Sequence, residues 1–274
     1  MDTASIVNNL RCITYNIIAD RYTKYIEGDE STRKFEQRYA YLPAHRSDSI
    51  LDWTVRLPLI IHTVKGYDII CLQEVDIDHT DHITRFLPDY DAVHHIDTSN
   101  LKVCKKDKRT NPVGCIILWK KNKFVLNDFV RTSCALIANV SYNDVKFAVC
   151  NVHLKAGLYS EFETRVRQIS SCIKTLDKYD RAIICGDFND TLDDSADITN
   201  KIISSGFQLF ATRDPTCHVY TDEYKSHRYY AFDHVATKKL KVVVDPLPPI
   251  GPIPNEDEPS DHIPIKFTVW FPAQ

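Results

Sequence analysis

Six short polar islands, each at the edge of an apolar run of strand length, constrain this chain more than any other feature. They are Tyr15-Asn16, Gln73-Glu74, Asn151-Val152-His153, Gly186-Asp187-Phe188-Asn189, Phe232-Asp233-His234 and Ser260-Asp261-His262. Runs such as Asp68–Glu74, Phe147–His153 and Ala182–Asp187 have the length and composition of fully buried strands, and each ends in a carboxylate or an imidazole. Taken singly, an Asp-Phe-Asn after a strand is an ordinary turn, because Asp and Asn bond their own backbone there. Six such islands, all rich in ligand-type side chains, instead predict strands lying side by side with their polar ends at one rim. A hard divalent cation and a phosphate suit such a rim.

The strand-like runs are 11–16, 68–73, 113–119, 124–128, 133–142, 145–152, 182–185, 232–236, 240–244 and 263–270. Ser141-Tyr-Asn-Asp144 between two of them reads as a hairpin turn, so part of the sheet is antiparallel. Phe162, Val166, Ile169, Ile173 and Leu176 recur at helical spacing, the stripe of a helix packed on a sheet. A second helix is expected from Trp53 to Lys65, with Pro58 in its first turn and Gly66 stopping it. Hairpins mixed with helices favour packed mixed sheets with helices outside.

The chain has 274 residues and 43% apolar content, enough for one sizeable core, and no linker is visible; residues 1–274 read as a single catalytic domain. The Pro-rich stretch from Pro246 to Pro259 reads as a long loop. Nine cysteines, an odd number without a C-x-x-C pair, argue against a disulfide framework and a zinc site and for a reducing compartment, the cytoplasm with the nucleus also open. No secretory signal and no apolar run of membrane-spanning length is present, so no membrane partner is expected. A net charge of −3 lacks the basic excess of dedicated nucleic-acid binders, so affinity for a polyanion has to be local. Lys102–Arg109 with Lys120, Lys121 and Lys123 is the candidate cluster, read either as a solvated loop and hairpin or as a rim for a phosphate chain.

In their order the six islands resemble the endonuclease/exonuclease/phosphatase superfamily over roughly Arg11 to Trp270. The narrower match is to carbon-catabolite-repressor-type deadenylases, nocturnin and the Angel proteins. It rests on Thr14–Asp20, Leu51-Asp-Trp53 with Arg56, Ile70–Asp76, Gly114–Ile117 with Lys123-Phe124, and Pro259–His262. His153-Leu-Lys-Ala156 looks most like nocturnin, since the deadenylases usually place a tryptophan and a proline just after that histidine; the second basic residue of nocturnin-type sequences is replaced by Gly157. The resemblance implies an α/β four-layer sandwich of two packed mixed β-sheets flanked by helices.

It also implies site roles. Glu74 is the first metal ligand, with Asn16 and Asp261 binding directly or through water, and Asp187 is the general base or a second-metal ligand. Asn189 orients the attacking water or phosphate, and His153 donates to a phosphate oxygen. Asp233 holds His262 as a cation facing the phosphoryl group, and Lys155, two residues past His153, is placed by strand alternation to reach the same phosphate. Magnesium is the implied cofactor, with manganese substituting. His79, His82, His94 and His95 are read as surface or loop residues, Trp53 as a packing anchor, and Tyr229 and Tyr230 as core or rim residues on which a base could stack.

The reading favours a 3′-to-5′ exoribonuclease of deadenylase type acting on RNA 3′ ends, without the leucine-rich-repeat region that docks those enzymes to scaffolds. Two others stay open: a nucleotide phosphatase, either nocturnin-like on a dinucleotide 2′-phosphate or Angel-like on a 2′,3′-cyclic phosphate, and an inactive adaptor that binds RNA or protein.

Overall fold

Two-residue alternation along the buried runs decides how the sheets stack. The computed structural model describes residues 9–23, 39–42, 49–96, 112–157, 159–192, 196–221 and 224–271. One six-stranded sheet contains β1 (Asn9–Asn16), β2 (Ile69–Asp76), β3 (Tyr90–Ile96), β4 (Val113–Lys120), β13 (Lys241–Val244) and β14 (Ile265–Trp270), in the order β13-β14-β1-β2-β4-β3. The other six-stranded sheet contains β5 (Val125–Arg131), β6 (Ala135–Tyr142), β7 (Val145–His153), β8 (Ala182–Asp187), β9 (Gln208–Phe210) and β12 (Asp233–Lys238), in the order β5-β6-β7-β8-β12-β9. A separate hairpin pairs β10 (Cys217–Thr221) with β11 (Ser226–Tyr230).

Cys12, Cys71, Ile117 and Trp119 from the first sheet meet Leu136, Ala138, Phe147, Val149, Ile183 and Cys185 from the second in a central core. Their neighbours Ile13, Ile70, Leu72, Ile116 and Leu118 point outward onto helices α1 (Trp53–Val64) and α2 (Ile77–Phe86). On the far side Ile137, Ala148, Cys150 and Ile184 face α3 (Phe162–Leu176) and α4 (Ala196–Ser204). The result is the four-layer sandwich, helices outside and mixed sheets within. α3 has the boundaries its apolar stripe predicted. The Asn143-Asp144 turn joins β6 and β7 with φ of 46° and 63°, the left-handed pair that a tight hairpin requires.

Three expectations need correction. Pro58 falls in the second turn of α1, because the helix starts at Trp53 with the Asp52 carboxylate accepting from Thr54 N–H. Lys120, Lys121 and Lys123 lie at the rim opposite the polar islands, where Lys120 and Lys123 hold Asp68 at 3.1 and 2.7 Å and Lys121 pairs with Asp91. His79 is buried rather than at the surface, its ring stacked on Trp53 at 3.8 Å. Lys102–Arg109 lies outside the described residues.

Strand direction brings the islands together. β1 and β2 are parallel, with Asn16 opposite Gln73, and β7 and β8 are parallel, with His153 opposite Asp187. β12 runs antiparallel to β8, so its first residue, Asp233, pairs with Asp187. β14 runs antiparallel to β1 and starts at Ile265 opposite Thr14, which leaves Ser260–His262 at the same rim.

Candidate active site

Each side chain at the rim is aimed by a local backbone feature. A bulge interrupts the β2–β4 register between Leu72 and Val75, and Glu74 within it has φ of 56°. The bulge lies inside β2 rather than at its end, and it turns the carboxylate into the mouth. After β1, Ile18 has φ of 53°, a strained value for a β-branched residue. Arg56 holds this turn: fully buried, it donates to the carbonyls of Ile17, Ile18 and Pro259 at 2.9, 2.8 and 3.1 Å. Before Asp187, Gly186 has φ of 139°, and a Cβ there would meet the Val152 carbonyl oxygen at 2.0 Å. Only glycine lets β7 and β8 approach so closely where their ends enter the site.

The side chains converge. Asn16 Nδ2 donates both to Glu74 Oε1 at 3.2 Å and to Asp187 Oδ2 at 2.9 Å, so one amide serves two carboxylates from different sheets. Ala19 N–H donates to the other Glu74 oxygen at 3.1 Å, and Asn189 N–H donates to Asp187 Oδ1 at 2.7 Å. His153 Nε2 lies 3.7 Å from Glu74 Oε1 and 3.8 Å from Asp187 Oδ2. His262 Nε2 lies 3.7 Å from Asp187 Oδ2, while its Nδ1 is 2.7 Å from Asp233 Oδ2. Asn189 donates through its amide to the Leu154 carbonyl at 3.0 Å, joining the Asp187 turn to the segment beyond His153.

Charge follows from this geometry. Burial pushes the Asp187 carboxyl up to about 6, against the pull of His262, with Asp233 adding to the rise. Burial alone would lower His262, yet its pKa stands well above the ordinary imidazole value. Of the groups around it, Cys217 is itself pushed up to about 12 by burial and is a neutral thiol, so Asp233 and Asp187 carry the charge that keeps His262 cationic. Two carboxylates from different sheets, Glu74 and Asp187, are held side by side in the mouth by one amide donor. The carboxylate oxygens of Glu74 and Asp187 fit a hard divalent cation, whereas Asn16 turns its Nδ2 to them and keeps its Oδ1 on the Ile18 N–H, so it braces the carboxylates rather than offering an oxygen.

One of the sequence candidates sits differently. β7 ends at His153, so strand alternation does not extend to Lys155; that residue is exposed and its backbone N–H donates to Gln168 at 2.8 Å. Asp261 lies between Ser260, whose hydroxyl donates to the Asn16 carbonyl at 2.6 Å, and His262, and its own carbonyl accepts from His218 N–H.

Other residues of the site escaped the sequence reading. Thr216 donates to Asp233 Oδ2 at 2.7 Å and accepts from the N–H groups of Phe232 and Asp233, fixing the carboxylate behind His262. Gln73 and Asn151 belong to islands but had no assigned role. Gln73 Nε2 donates to Asn151 Oδ1 at 2.6 Å, and Asn151 donates to the carbonyls of Leu72 and Ile116, a polar lock between the sheets. Asp20, Asp76 and His79 form a further buried group whose donor atoms lie within 4.8 Å of one another.

Among the described residues no helix is long and apolar enough to cross a membrane. Solved structures share the fold. A 2′,3′-cyclic phosphatase, ANGEL2, in complex with adenosine-2′,3′-vanadate superposes with a TM-score of 0.70 at 17% identity, covering 97% of this chain and 96% of that one. The human Nocturnin catalytic domain with bound sulfate gives 0.66 at 20% identity, covering 95% and 94%. In sequence, the CCR4-Not complex 3′-5′-exoribonuclease subunit Ccr4 of Mycosarcoma maydis is 32% identical over 119 residues, 42% of this chain and 15% of that protein. Protein angel homolog 2 of Danio rerio is 33% identical over 90 residues, 31% of this chain and 14% of its own length. This chain thus spans only a small part of the relatives it matches. The model of the Endonuclease/Exonuclease/phosphatase family matches residues 28–262, and the chain belongs to that family of phosphoric-ester hydrolases.

Proposed function

We propose that residues 1–274 act as one catalytic domain, a magnesium-dependent phosphodiesterase that removes nucleotides from RNA 3′ ends in a reducing compartment such as the cytoplasm. The observation that carries this reading is the pair of carboxylates, Glu74 and Asp187, brought from separate sheets onto the single amide of Asn16. A magnesium ion held by Glu74, with Asp261 directly or through water and with Asn16 bracing the Glu74 carboxylate, would neutralise charge on the phosphoryl oxygens, and manganese would substitute.

The remaining steps belong to side chains. Asp187, with a pKa of about 6, takes a proton from the attacking water near neutral pH, and Asn189 holds the Asp187 turn and orients the water. His262, kept cationic by Asp233, faces the phosphoryl oxygens, where it stabilises the charge of the transition state. His153 donates from the opposite wall. Thr216 and Asp233 position His262 and do not touch substrate.

The exonuclease assignment draws on the Ccr4 relatives. A second reading, a phosphatase for a small nucleotide, draws on the angel homologue and on the Leu154-Lys155-Ala156 segment, where no tryptophan or proline follows His153. Product analysis separates them. With magnesium present, 5′-labelled oligoadenylate should shorten stepwise from its 3′ end with release of nucleoside monophosphate. Phosphate release from a dinucleotide 2′-phosphate, or opening of a 2′,3′-cyclic end, without shortening would replace the exonuclease reading; no turnover of any substrate would favour the adaptor.

A further inference from the structure

A pocket of about 550 Å³ opens beside the catalytic cluster, lined by His94, His95, Ile96, Arg131, Thr132 and Ser133. Its walls are the ends of β3 and β5, outer strands of the two sheets. Both walls lead directly to the mouth. Ile96 pairs with Gly114, Gly114 pairs with Val75, and Val75 follows Glu74. On the other side Cys134, next after Ser133, accepts the backbone N–H of His153 at 2.9 Å.

Among the described residues the lining offers one guanidinium, two imidazoles and two hydroxyls and includes no carboxylate. The Arg131 guanidinium sits 5.0 Å from the centre of the Phe129 ring, and that ring is 40% exposed. Beyond the bulge between Leu126 and Asp128, Phe129 and Arg131 share one face of β5, while Asp128 bonds Asn139 and Tyr179. A cation and an exposed aromatic side by side are the elements with which grooves hold single strands, the cation on phosphate and the ring under a base. In a chain of net charge −3 affinity for a polyanion depends on local patches of this kind.

We infer that this pocket is a second nucleotide subsite, which holds single-stranded nucleic acid upstream of the scissile phosphate, with Arg131 on a phosphodiester and Phe129 against a base. The inference rests on the exonuclease reading and deepens it: substrates long enough to reach the pocket bind better than a dinucleotide that fills only the mouth.

The test is anisotropy of 5′-fluorescein oligoadenylates of two and ten nucleotides with the full chain, in EDTA to stop turnover. Arg131→Ala should weaken the ten-mer about tenfold and reduce the slope of log affinity against log salt by about 0.7, the increment for one single-strand phosphate, while leaving the dinucleotide unchanged. Phe129→Ala should weaken the ten-mer about five- to tenfold without altering the slope. Arg131→Lys should restore the slope. Melting curves verify that these exposed positions leave the fold intact. Wild-type affinity and slope in Arg131→Ala, or equal losses for the two lengths, would overturn the subsite. A protein whose ten-mer binding depends on Arg131 but which releases no mononucleotide in magnesium would contradict the exonuclease reading and leave the subsite standing.

Discussion

Asn16 and Asp187 lie 171 residues apart in the chain and are joined by a 2.9 Å hydrogen bond that crosses from one sheet to the other. Neither sheet contains the cluster alone. Glu74 and Asn16 come from the first sheet, His153, Asp187 and Asp233 from the second, and the geometry of the mouth therefore depends on the stacking of the two.

The Gln73–Asn151 bond beneath the mouth secures that stacking, so Gln73→Leu is expected to loosen it. The substitution leaves Asn151 Oδ1 buried without its donor and should cost about 1–3 kcal/mol in urea denaturation. Turnover should fall as well, because Glu74 is the next residue and its bulge is aimed from Gln73. Unchanged stability would mean that the lock contributes nothing.

Asp76 gives a pH signature. Its carboxyl is pushed up to about 7, chiefly by burial, with the charges of Asp20 and Glu74 adding to the effect and the Asp20 N–H and Arg56 opposing it. A folded pKa above the unfolded one means that the native state binds this proton more tightly. The group's stabilising contribution is complete below about pH 4 and is lost as pH rises through 7. Asp76→Asn should therefore unfold at a higher temperature than the wild type at pH 8.5, by an amount equivalent to about 1–3 kcal/mol, and show no such gain at pH 4. A gain independent of pH would contradict the assignment.

Periodicity made much of the fold legible. The α3 stripe and the Ser141–Asp144 turn are local signals, and the structure reproduces them. α2 and β3 were missed because Ile77–Phe86 and Tyr90–Ile96 mix polar and apolar residues without a clean period. The islands pointed to a common rim: four of them end or begin a strand, Gln73-Glu74 lies in the bulge inside β2, and Ser260–His262 precedes β14. Three relationships had no local signal: the positive φ at Glu74, the burial of His79 between Trp53 and two carboxylates, and the grip of Thr216 on Asp233. Each is set by tertiary packing, which sequence spacing does not encode.

The eight described cysteines are buried, and burial raises the thiols of Cys12 and Cys71 well above their ordinary range. In the native protein the eight described thiols should react slowly with a thiol reagent, and denatured protein should yield nine thiols. Fewer than nine in material prepared without oxidant would reveal a disulfide and contradict a reducing compartment.

Lys155 tests the substrate class. An ammonium bonded to phosphate is worth roughly 1.5–3 kcal/mol, so Lys155→Ala should lower kcat/KM about ten- to a hundredfold if that exposed side chain meets substrate. Loss confined to a dinucleotide phosphate would favour the small-nucleotide reading, and loss in RNA trimming alone the exonuclease. No change in either would remove Lys155 from the site.

The central claim is that Glu74 and Asp187 act as one catalytic unit across the sheet interface, and turnover of oligoadenylate in magnesium by Glu74→Gln, Asp187→Asn and the double variant tests it most directly. Each single change should reduce kcat by about two to four orders of magnitude while the fold persists, and the double variant should lose little more than the worse single one, because groups that act together are not additive. Glu74→Gln retaining more than about a tenth of wild-type activity, a smaller loss than a metal ligand or base ordinarily gives, would contradict the account.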